Sequence, residues 1–189
     1  MRREFSAEDI RVGDEYEQAR VDQRRTIAER QRHRRITLGG VLSLVFEDPD
    51  TVRTALEEML RVERTTDPDR IESAAGSFNA LLATDAGLTA TLYIDVADPA
   101  KLAQAIADLA GVQRCVYLDI GGERVDGIAD DPGADAEPAA AWQVAFPLLD
   151  AHRVAWRSDA EIAVGVDHPA CSARVVLGED ERRAIGADL

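Results

Sequence analysis

The sequence predicts an α+β protein, with a mainly antiparallel sheet and helices packed on one face of it. Three Asp-Pro pairs, each followed by apolar residues at helical spacing, predict three helices. Other segments alternate apolar and polar residues, as half-buried strands do. Short connections such as Gly121-Gly122-Glu123 are typical of hairpins and therefore of antiparallel pairing. A chain of 189 residues is expected to form one domain, residues 1–189.

The chain is expected to begin with a helical arm over about residues 6–35, followed by an α+β body over about residues 36–189. The arm contains a predicted helix from about Asp14 to Arg34, whose apolar residues are too sparse to form a stripe. Such a helix is expected to lie across the body, or across another subunit, rather than inside the core. A homo-oligomer is therefore compatible with the sequence.

The first strand is expected over Ile36–Phe46, interrupted by a turn at Gly39-Gly40. The helices that follow begin at Asp48-Pro49, Asp67-Pro68 and Asp98-Pro99, and Gly111 is expected to end the third of them. Later strands are expected over Leu88–Val96, Cys115–Ile120, Arg124–Ile128, Trp142–Phe146, Ile162–Val166 and Ala173–Leu177. A last helix is expected from about Gly178 to Ala187. A fourth pair, Asp131-Pro132, lies in the acidic stretch Asp130–Pro138, which has no apolar period and predicts an exposed loop.

Charge is distributed unevenly along the sequence. The chain has 36 acidic and 22 basic residues, a net charge of −14, yet residues 24–35 carry +5 and the remainder therefore −19. The basic residues of this segment are Arg24, Arg25, Arg30, Arg32, Arg34 and Arg35. They are candidate docking residues for an acidic partner, or else a solvated helix face that pairs with the acidic body. The acidity of the chain as a whole argues against nucleic acid as the main partner.

No stretch approaches the roughly 18 apolar residues of a membrane span, and the N-terminus lacks the apolar run of a signal peptide. We therefore expect a cytoplasmic protein that does not enter membranes, with Cys115 and Cys171 reduced. The number of cysteines permits a disulfide between them, but a reducing compartment does not favour one.

Motifs that identify common enzymes are missing from the sequence. It contains no Gly-x-x-x-x-Gly-Lys, Gly-x-Gly-x-x-Gly, Cys-x-x-Cys, His-Glu-x-x-His or Gly-x-Ser-x-Gly. No cofactor, metal or catalytic residue is assigned on this basis. The missing motifs do not exclude an active site assembled from residues that are distant in the sequence. The sequence therefore does not decide whether the protein is an enzyme.

Six polar residues near predicted strand ends and helix faces form a candidate pocket. They are Glu47, Glu58, Arg61, Asn79, Asp167 and His168. Carboxylates in such a pocket hold metal ions or transfer protons, and Asp167 and His168 near Cys171 are residue types that ligate metals or activate thiolates.

Each of these residues also has a structural interpretation. The spacing of Arg53, Glu57 and Arg61 predicts i,i+4 ion pairs in a solvated charge ladder that includes Glu58. His168 is expected to hydrogen-bond within its turn, and Asn79 to cap a neighbouring backbone group.

Several short motifs resemble an uncharacterised bacterial family, the domain of unknown function 3501 family, from about Asp9 to Leu189. The motifs are Arg34-Arg35-Ile36-Thr37-Leu38-Gly39, Leu44-Val45-Phe46-Glu47, Thr51-Val52-Arg53, Glu58-Met59-Leu60-Arg61-Val62-Glu63-Arg64, Phe78-Asn79-Ala80-Leu81, Ala90-Thr91-Leu92-Tyr93-Ile94-Asp95 and Gly165-Val166-Asp167-His168-Pro169. The resemblance implies no established activity. It implies a setting, because such proteins are often encoded near rubrerythrin-like and iron–sulfur oxidoreductase proteins.

The sequence departs from the family pattern in three places: Phe78 replaces an expected Tyr, Asp95 a commoner Glu, and Asp48-Pro49 an Asn-Arg pair.

Two functional hypotheses follow. The first is an accessory or interaction protein in a bacterial iron-redox or oxidative-stress system, which docks through the basic segment on rubrerythrin-like or iron–sulfur proteins. The alternative is a small metal-dependent or ligand-binding enzyme with a Glu/Arg/His polar pocket.

Overall fold

Helices and strands are mixed along the chain. The computed structural model describes residues 4–82, 87–129 and 139–189. The α-helices are α1 Gly13–Gln31, α2 Pro49–Glu63, α3 Pro68–Asn79, α4 Pro99–Asp108, α5 Asp150–Arg157 and α6 Glu179–Gly186. The strands are β1 Arg35–Leu38, β2 Leu42–Phe46, β3 Gly87–Ile94, β4 Val116–Ile120, β5 Glu123–Asp126, β6 Ile128–Ala129, β7 Ala141–Pro147, β8 Ile162–His168 and β9 Cys171–Val176.

The strands form two antiparallel sheets, with the orders β1-β2-β3-β7-β6 and β5-β4-β8-β9. The α+β class and the antiparallel pairing are thus confirmed. The division into two sheets was not expected, because alternation within a strand does not show which strands pair. The sheets are joined where β5 leads into β6 through Gly127, whose N–H donates to the carbonyl of Val116 at 2.9 Å. They meet again at Gly39, where a Cβ atom would lie 2.6 Å from Sγ of Cys171.

The apolar faces of both sheets contribute to one main core. Phe46 and Phe146 of the first sheet pack with their ring centroids 6.0 Å apart, and Leu118 and Val164 of the second sheet belong to the same cluster. A smaller cluster joins α2, α3 and the N-terminal segment: Ile10, Leu56, Leu60, Ile71, Ala74 and Ala75. Burial of one large apolar side chain contributes about 1.5–3 kcal/mol, so these two clusters stabilise the body.

The three predicted Asp-Pro helix starts are confirmed. Asp48 accepts hydrogen bonds from the N–H groups of Asp50 and Thr51, each at 2.9 Å, ahead of α2. Asp67 and Asp98 cap α3 and α4 in the same way. In each case the carboxylate satisfies an N–H that has no partner inside the helix, and proline occupies the first helical position, where no N–H is needed. The fourth pair, Asp131-Pro132, lies outside the described residues, as does all of Asp130–Pro138.

Two helix ends differ from expectation, and one helix was not predicted. α1 ends at Gln31 rather than near Arg34. α4 ends at Asp108, so Gly111 does not cap it; with φ at +88° it precedes the short 3-10 turn Val112–Arg114 instead. α5, which buries His152 and Trp156, was not predicted, because a helix of eight residues is too short to show a helical period clearly.

The outer face of the second sheet carries a stack of side chains over a glycine. Tyr117 in β4 is paired with Gly165 in β8, and the guanidinium carbon of Arg124 lies 3.9 Å from the centroid of the Tyr117 ring. A Cβ atom at position 165 would lie 2.2 Å from Cζ of Tyr117. The ring occupies this position only because residue 165 has no side chain.

Gly165→Ala is expected to lower the free energy of unfolding by about 1 kcal/mol, since the ring must leave the stack and a cation–π contact at an exposed site contributes about 0.5–1 kcal/mol. Gly76→Ala is the control, because Gly76 lies within α3 with open space around its Cα. It is expected to stabilise the protein by roughly 0.5–1 kcal/mol. Urea denaturation measures both, and a stabilising Gly165→Ala would contradict the steric argument.

Candidate functional site

α1 is a long helix that lies on the surface. Of its 19 residues, all of them described, only Tyr16 is buried. Without an apolar stripe, a helix in water depends on contacts with the rest of the protein. The contacts that hold α1 therefore define both its position and the surface that it leaves exposed.

A buried carboxylate anchors α1 to α2. Glu57 is 0% exposed, and its Oε1 accepts hydrogen bonds from the backbone N–H and Nε of Arg11, both at 3.1 Å. Its Oε2 accepts from Nη2 of Arg11 at 3.1 Å and from Nε2 of Gln23 at 2.7 Å. Gln23 Nε2 also lies 2.7 Å from Oγ1 of Thr54. Four donors surround this one buried anion and satisfy its hydrogen-bonding capacity. These hydrogen bonds offset the free-energy cost of removing the carboxylate from water.

The predicted charge ladder along α2 is wrong. Glu57 pairs with Arg11 instead of Arg53 or Arg61, because α1 and the segment before it cover that face of α2. Arg53 pairs with Asp50 at 2.8 Å, and Arg61 with Glu17 at 2.6 Å.

Glu58 faces α1 and pairs with it. Nε of Arg20 lies 2.8 Å from Oε1 of Glu58. Burial alone raises the pKa of Glu58, but the Arg20 guanidinium, the Tyr16 side chain and the charge of Arg24 lower it overall below its ordinary value. Burial and the adjacent Glu58 raise the pKa of Tyr16 to about 12. Glu58 is therefore an ionised partner of α1, suited to holding the helix rather than to donating protons near neutral pH.

Arg34 does not belong to an exposed docking surface. Its side chain is buried; Nη1 lies 2.6 Å from Oδ2 of Asp188, and Nε lies 3.4 Å from Oδ2 of Asp48. Nη2 donates to the carbonyl of Ala184 at 2.7 Å. The prediction of Arg34 as a docking residue is therefore wrong, because its side chain points inward as Ile36 and Leu38 do and joins the first strand to the C-terminal segment.

Two further arginines pair with the acidic body. Nη1 of Arg30 lies 3.0 Å from Asp50 and 3.6 Å from Asp48. Nη1 of Arg35 lies 3.0 Å from Asp95, and its guanidinium carbon is 5.8 Å from the centroid of the Tyr93 ring. These pairs are partly exposed, so each contributes at most about 1 kcal/mol and can be exchanged for another partner.

The remaining three arginines face solvent. Arg25 pairs at 2.9 Å with Asp22 one turn earlier, and both side chains are more than 70% exposed at 71% and 79%. Arg24 and Arg32 are exposed and form no ion pair with any residue in the described ranges. The basic segment thus combines internal pairing with unpaired positive charge.

Glu47 is the centre of a polar network between the first sheet and α2. Oγ1 of Thr51 and Oγ1 of Thr91 each lie 2.6 Å from one of its carboxylate oxygens. Thr91 in turn accepts a hydrogen bond from Nε2 of Gln143 at 2.9 Å. The network holds the Glu47 carboxylate in one orientation where the chain passes from β2 to α2.

Asn79 ties down the N-terminal segment. Its Oδ1 accepts from the N–H of Phe5 at 2.8 Å, and its Nδ2 donates to the carbonyl of Phe5 at 2.9 Å. The side-chain amide therefore pairs with a backbone as a neighbouring strand does. This is a structural role of the kind expected for an Asn that caps a backbone group.

Asp167 and His168 lie at the far end of β8. Nδ1 of His168 accepts from the N–H of Ala170, and Nε2 lies 3.2 Å from the carbonyl of Ala110. Asp167 lies 3.8 Å from Arg124. Cys171 pairs with His168 in the β8–β9 register, but burial raises the pKa of its thiol, which opposes thiolate formation. Both Cys115 and Cys171 are free thiols.

The six residues of the candidate pocket thus lie in separate sets of contacts. Glu47 contacts Thr51 of α2 and Thr91 of β3. Glu58 and Arg61 contact α1, Asn79 contacts the N-terminal segment, and Asp167 and His168 lie on the second sheet. Within the described ranges no group of three or more His, Cys, Asp or Glu side chains is placed to hold a metal ion. No helix in the described part of the chain is long and apolar enough to cross a membrane.

The residues that the sequence did not single out are Arg11, Gln23 and Thr54, together with Thr91 and Gln143 of the Glu47 network. Thr91 and Gln143 occupy outward positions of strands, so strand parity offered a signal for them. No comparable signal marks Arg11, since its partner Glu57 is 46 residues away along the chain.

Comparisons with known proteins agree with this description. A family model described as "Protein of unknown function (DUF3501)" matches residues 4–189. A crystal structure of a protein of unknown function from Burkholderia pseudomallei K96243 superposes with a TM-score of 0.91 at 25% sequence identity, over 99% of this chain and 100% of that one. No curated protein matches the sequence at a significant level.

Proposed function

The chain belongs to the DUF3501 family, and because that family is described as being of unknown function, we propose a function from the chain's own geometry. The protein is a non-catalytic interaction protein that binds an acidic protein surface through the basic, C-terminal half of α1 and the turn that follows it. An iron-redox or oxidative-stress system is the proposed setting, with rubrerythrin-like or iron–sulfur oxidoreductase proteins as partners.

The observation that carries the proposal is the exposed positive charge of Arg24, on α1, and of Arg32, just after it; neither forms an ion pair with a residue in the described ranges, and α1 exposes nearly its whole length. Arg25 adds a third exposed guanidinium whose pairing with Asp22 is weak at such exposure. The rest of the chain carries −19, so this patch attracts negative surfaces that the body repels. Nucleic acid is disfavoured because its long array of phosphates would also meet the acidic body.

The enzyme alternative has less support. A Glu/Arg/His pocket requires its side chains to converge, and the described contacts of Glu47, Glu58 and His168 involve different partners. These separate contacts support structural roles for the three residues rather than a shared catalytic pocket.

Reversal of the two unpaired charges tests the proposal. The double variant Arg24→Glu with Arg32→Glu is compared with the wild type for binding to a purified rubrerythrin-like protein and a purified iron–sulfur oxidoreductase from the same bacterium. The wild type is expected to bind at least one of them with an affinity that falls as salt is added, and the variant about tenfold or more weakly. Isothermal titration calorimetry measures both.

Lys101→Glu with Arg183→Glu is the matched control. Both side chains are exposed, at 79% and 72%, and the change in net charge is the same. The control is expected to bind within about twofold of the wild type, because surface charges outside an interface have small effects. Equal binding by the wild type and the α1 variant would overturn the proposal. Self-association of the wild type that is lost in the α1 variant would also overturn it, because the partner would then be a second copy of this chain.

A further inference from the structure

A cleft runs along one side of the contact between α1 and α2. Its volume is about 360 Å³, within the range of small-molecule sites in proteins. Its polar lining consists of three arginines, two aspartates and three neutral residues: Arg11, Arg30, Arg53, Asp22, Asp50, Gln23, Thr26 and Thr54. Asp22 pairs with Arg25 outside the cleft. Three guanidinium groups against two carboxylates leave the lining with a net positive charge and many hydrogen-bond donors, and both suit an oxyanion.

The floor of the cleft is rigid. The buried Glu57 carboxylate holds Arg11 and Gln23 through the four hydrogen bonds described above, and Gln23 also contacts Thr54. Because these donors already serve Glu57, they fix the shape of the cleft before a ligand arrives, and little conformational freedom is lost when it binds. The floor of the cleft is therefore preorganised.

The rim of the cleft already holds a carboxylate between two arginines. Oδ2 of Asp50 lies 3.0 Å from Nη1 of Arg30, and Oδ1 lies 2.8 Å from Nη2 of Arg53. One oxyanion thus bridges two guanidinium groups, with each oxygen on a different arginine. The three side chains are 35–49% exposed, so solvent weakens both pairs and leaves them exchangeable.

We propose that this cleft binds a small oxyanion with at least two negative charges, in contact with Arg30 and Arg53, and that Asp50 competes with it for the two guanidinium groups. A second charge gives the ligand an advantage over a single carboxylate at the same place. Ala19 and Ile27 form an apolar wall that accommodates a short carbon chain. Phosphate groups and polycarboxylates share this chemistry. The cleft adjoins the protein surface proposed above, but Arg24, Arg25 and Arg32 do not line it.

Calorimetric titration at low ionic strength tests the site with three probes: inorganic phosphate, pyrophosphate and citrate. At least one probe is expected to bind the full chain with a dissociation constant of about 1 mM or lower. If pyrophosphate binds more tightly than citrate, the ligand of the site is a phosphate compound. If citrate binds more tightly, the ligand is a polycarboxylate. Arg30→Gln with Arg53→Gln is expected to weaken binding about tenfold or more, because both contacting charges are removed.

Asp50→Asn supplies the opposite prediction. The variant removes the internal competitor and keeps the backbone carbonyl to which Thr54 donates, so affinity is expected to rise about threefold or more. Arg157→Gln with Arg183→Gln, at α5 and α6, is the control and is expected to bind like the wild type. Circular dichroism and the urea midpoint establish that each variant is folded.

Three results would overturn the site: no probe bound at millimolar concentration, equal weakening by the control pair, or weaker binding by Asp50→Asn. The docking proposal fails separately, because Arg24 and Arg32 do not line this cleft. Their reversal is expected to leave binding of the small probes largely intact.

Discussion

Arg34→Ala is expected to lower the free energy of unfolding by roughly 3–5 kcal/mol, the usual cost of removing one partner from a buried ion pair. Arg34 is 5% exposed, and its Nη1 lies 2.6 Å from Oδ2 of Asp188. Its loss also leaves the buried Asp48 with Arg30 alone, at 3.6 Å. The carbonyl of Ala184 loses its donor as well. Asp48, Asp188 and the carbonyl of Ala184 thus each lose a contact with a cation in a poorly solvated site.

Arg32→Ala is the matched control, two residues earlier in the chain. Arg32 is exposed, and its replacement is expected to change stability by less than about 0.5 kcal/mol. Urea denaturation followed by circular dichroism measures both variants. Similar, small effects of the two substitutions would contradict the buried position of Arg34.

Glu57→Ala is expected to lower the free energy of unfolding by about 3 kcal/mol and to release α1 from α2. The carboxylate is 0% exposed and accepts four hydrogen bonds, all from Arg11 and Gln23. Hydrogen bonds to a charged group contribute about 1.5–3 kcal/mol, and groups left without partners add to the cost. Arg11 is 31% exposed and regains some hydration, which keeps the loss at the lower end for a buried pair.

Glu58→Ala is the natural comparison, because the two residues are adjacent in one helix. Glu58 is 29% exposed and pairs with Arg20, so its loss is expected to cost at most about 1 kcal/mol. Hydrogen exchange of the α1 amides distinguishes the variants: Glu57→Ala is expected to raise exchange throughout the helix. A larger loss for Glu58→Ala than for Glu57→Ala would reverse the assignment of the anchor.

The parts of the fold that depend on local chemistry could be predicted from the sequence. An Asp side chain caps its own helix and a proline tolerates the first helical position, so Asp48, Asp67 and Asp98 mark helix starts without reference to the rest of the chain. The turn at Gly39-Gly40 is local in the same sense. The division of the strands into two sheets is not local, since it depends on pairings between distant segments.

The candidate site was harder to predict because neighbouring residues of the same type have different surroundings. Glu57 and Glu58 are equivalent by composition, and only the position of α1 buries the first and leaves the second partly exposed. The sequence did contain a signal for Arg34, because the inward parity of Ile36 and Leu38 extends back to it. The structure shows the same continuation, since the carbonyl of Arg34 accepts a hydrogen bond from the N–H of Phe46 at 2.9 Å. Strand parity predicts a buried Arg34 where charge counting alone predicts an exposed one.

The ion pair between Arg34 and Asp188 spans 154 residues of the chain. Synthesis at about 5–20 residues per second separates the production of its two ends by roughly 8–30 s. During that time Arg34 has Asp48 as a partner, while the carboxylate of Asp188 does not yet exist. The first strand therefore gains its ion pair with the C-terminal segment only after the chain has been made as far as Asp188.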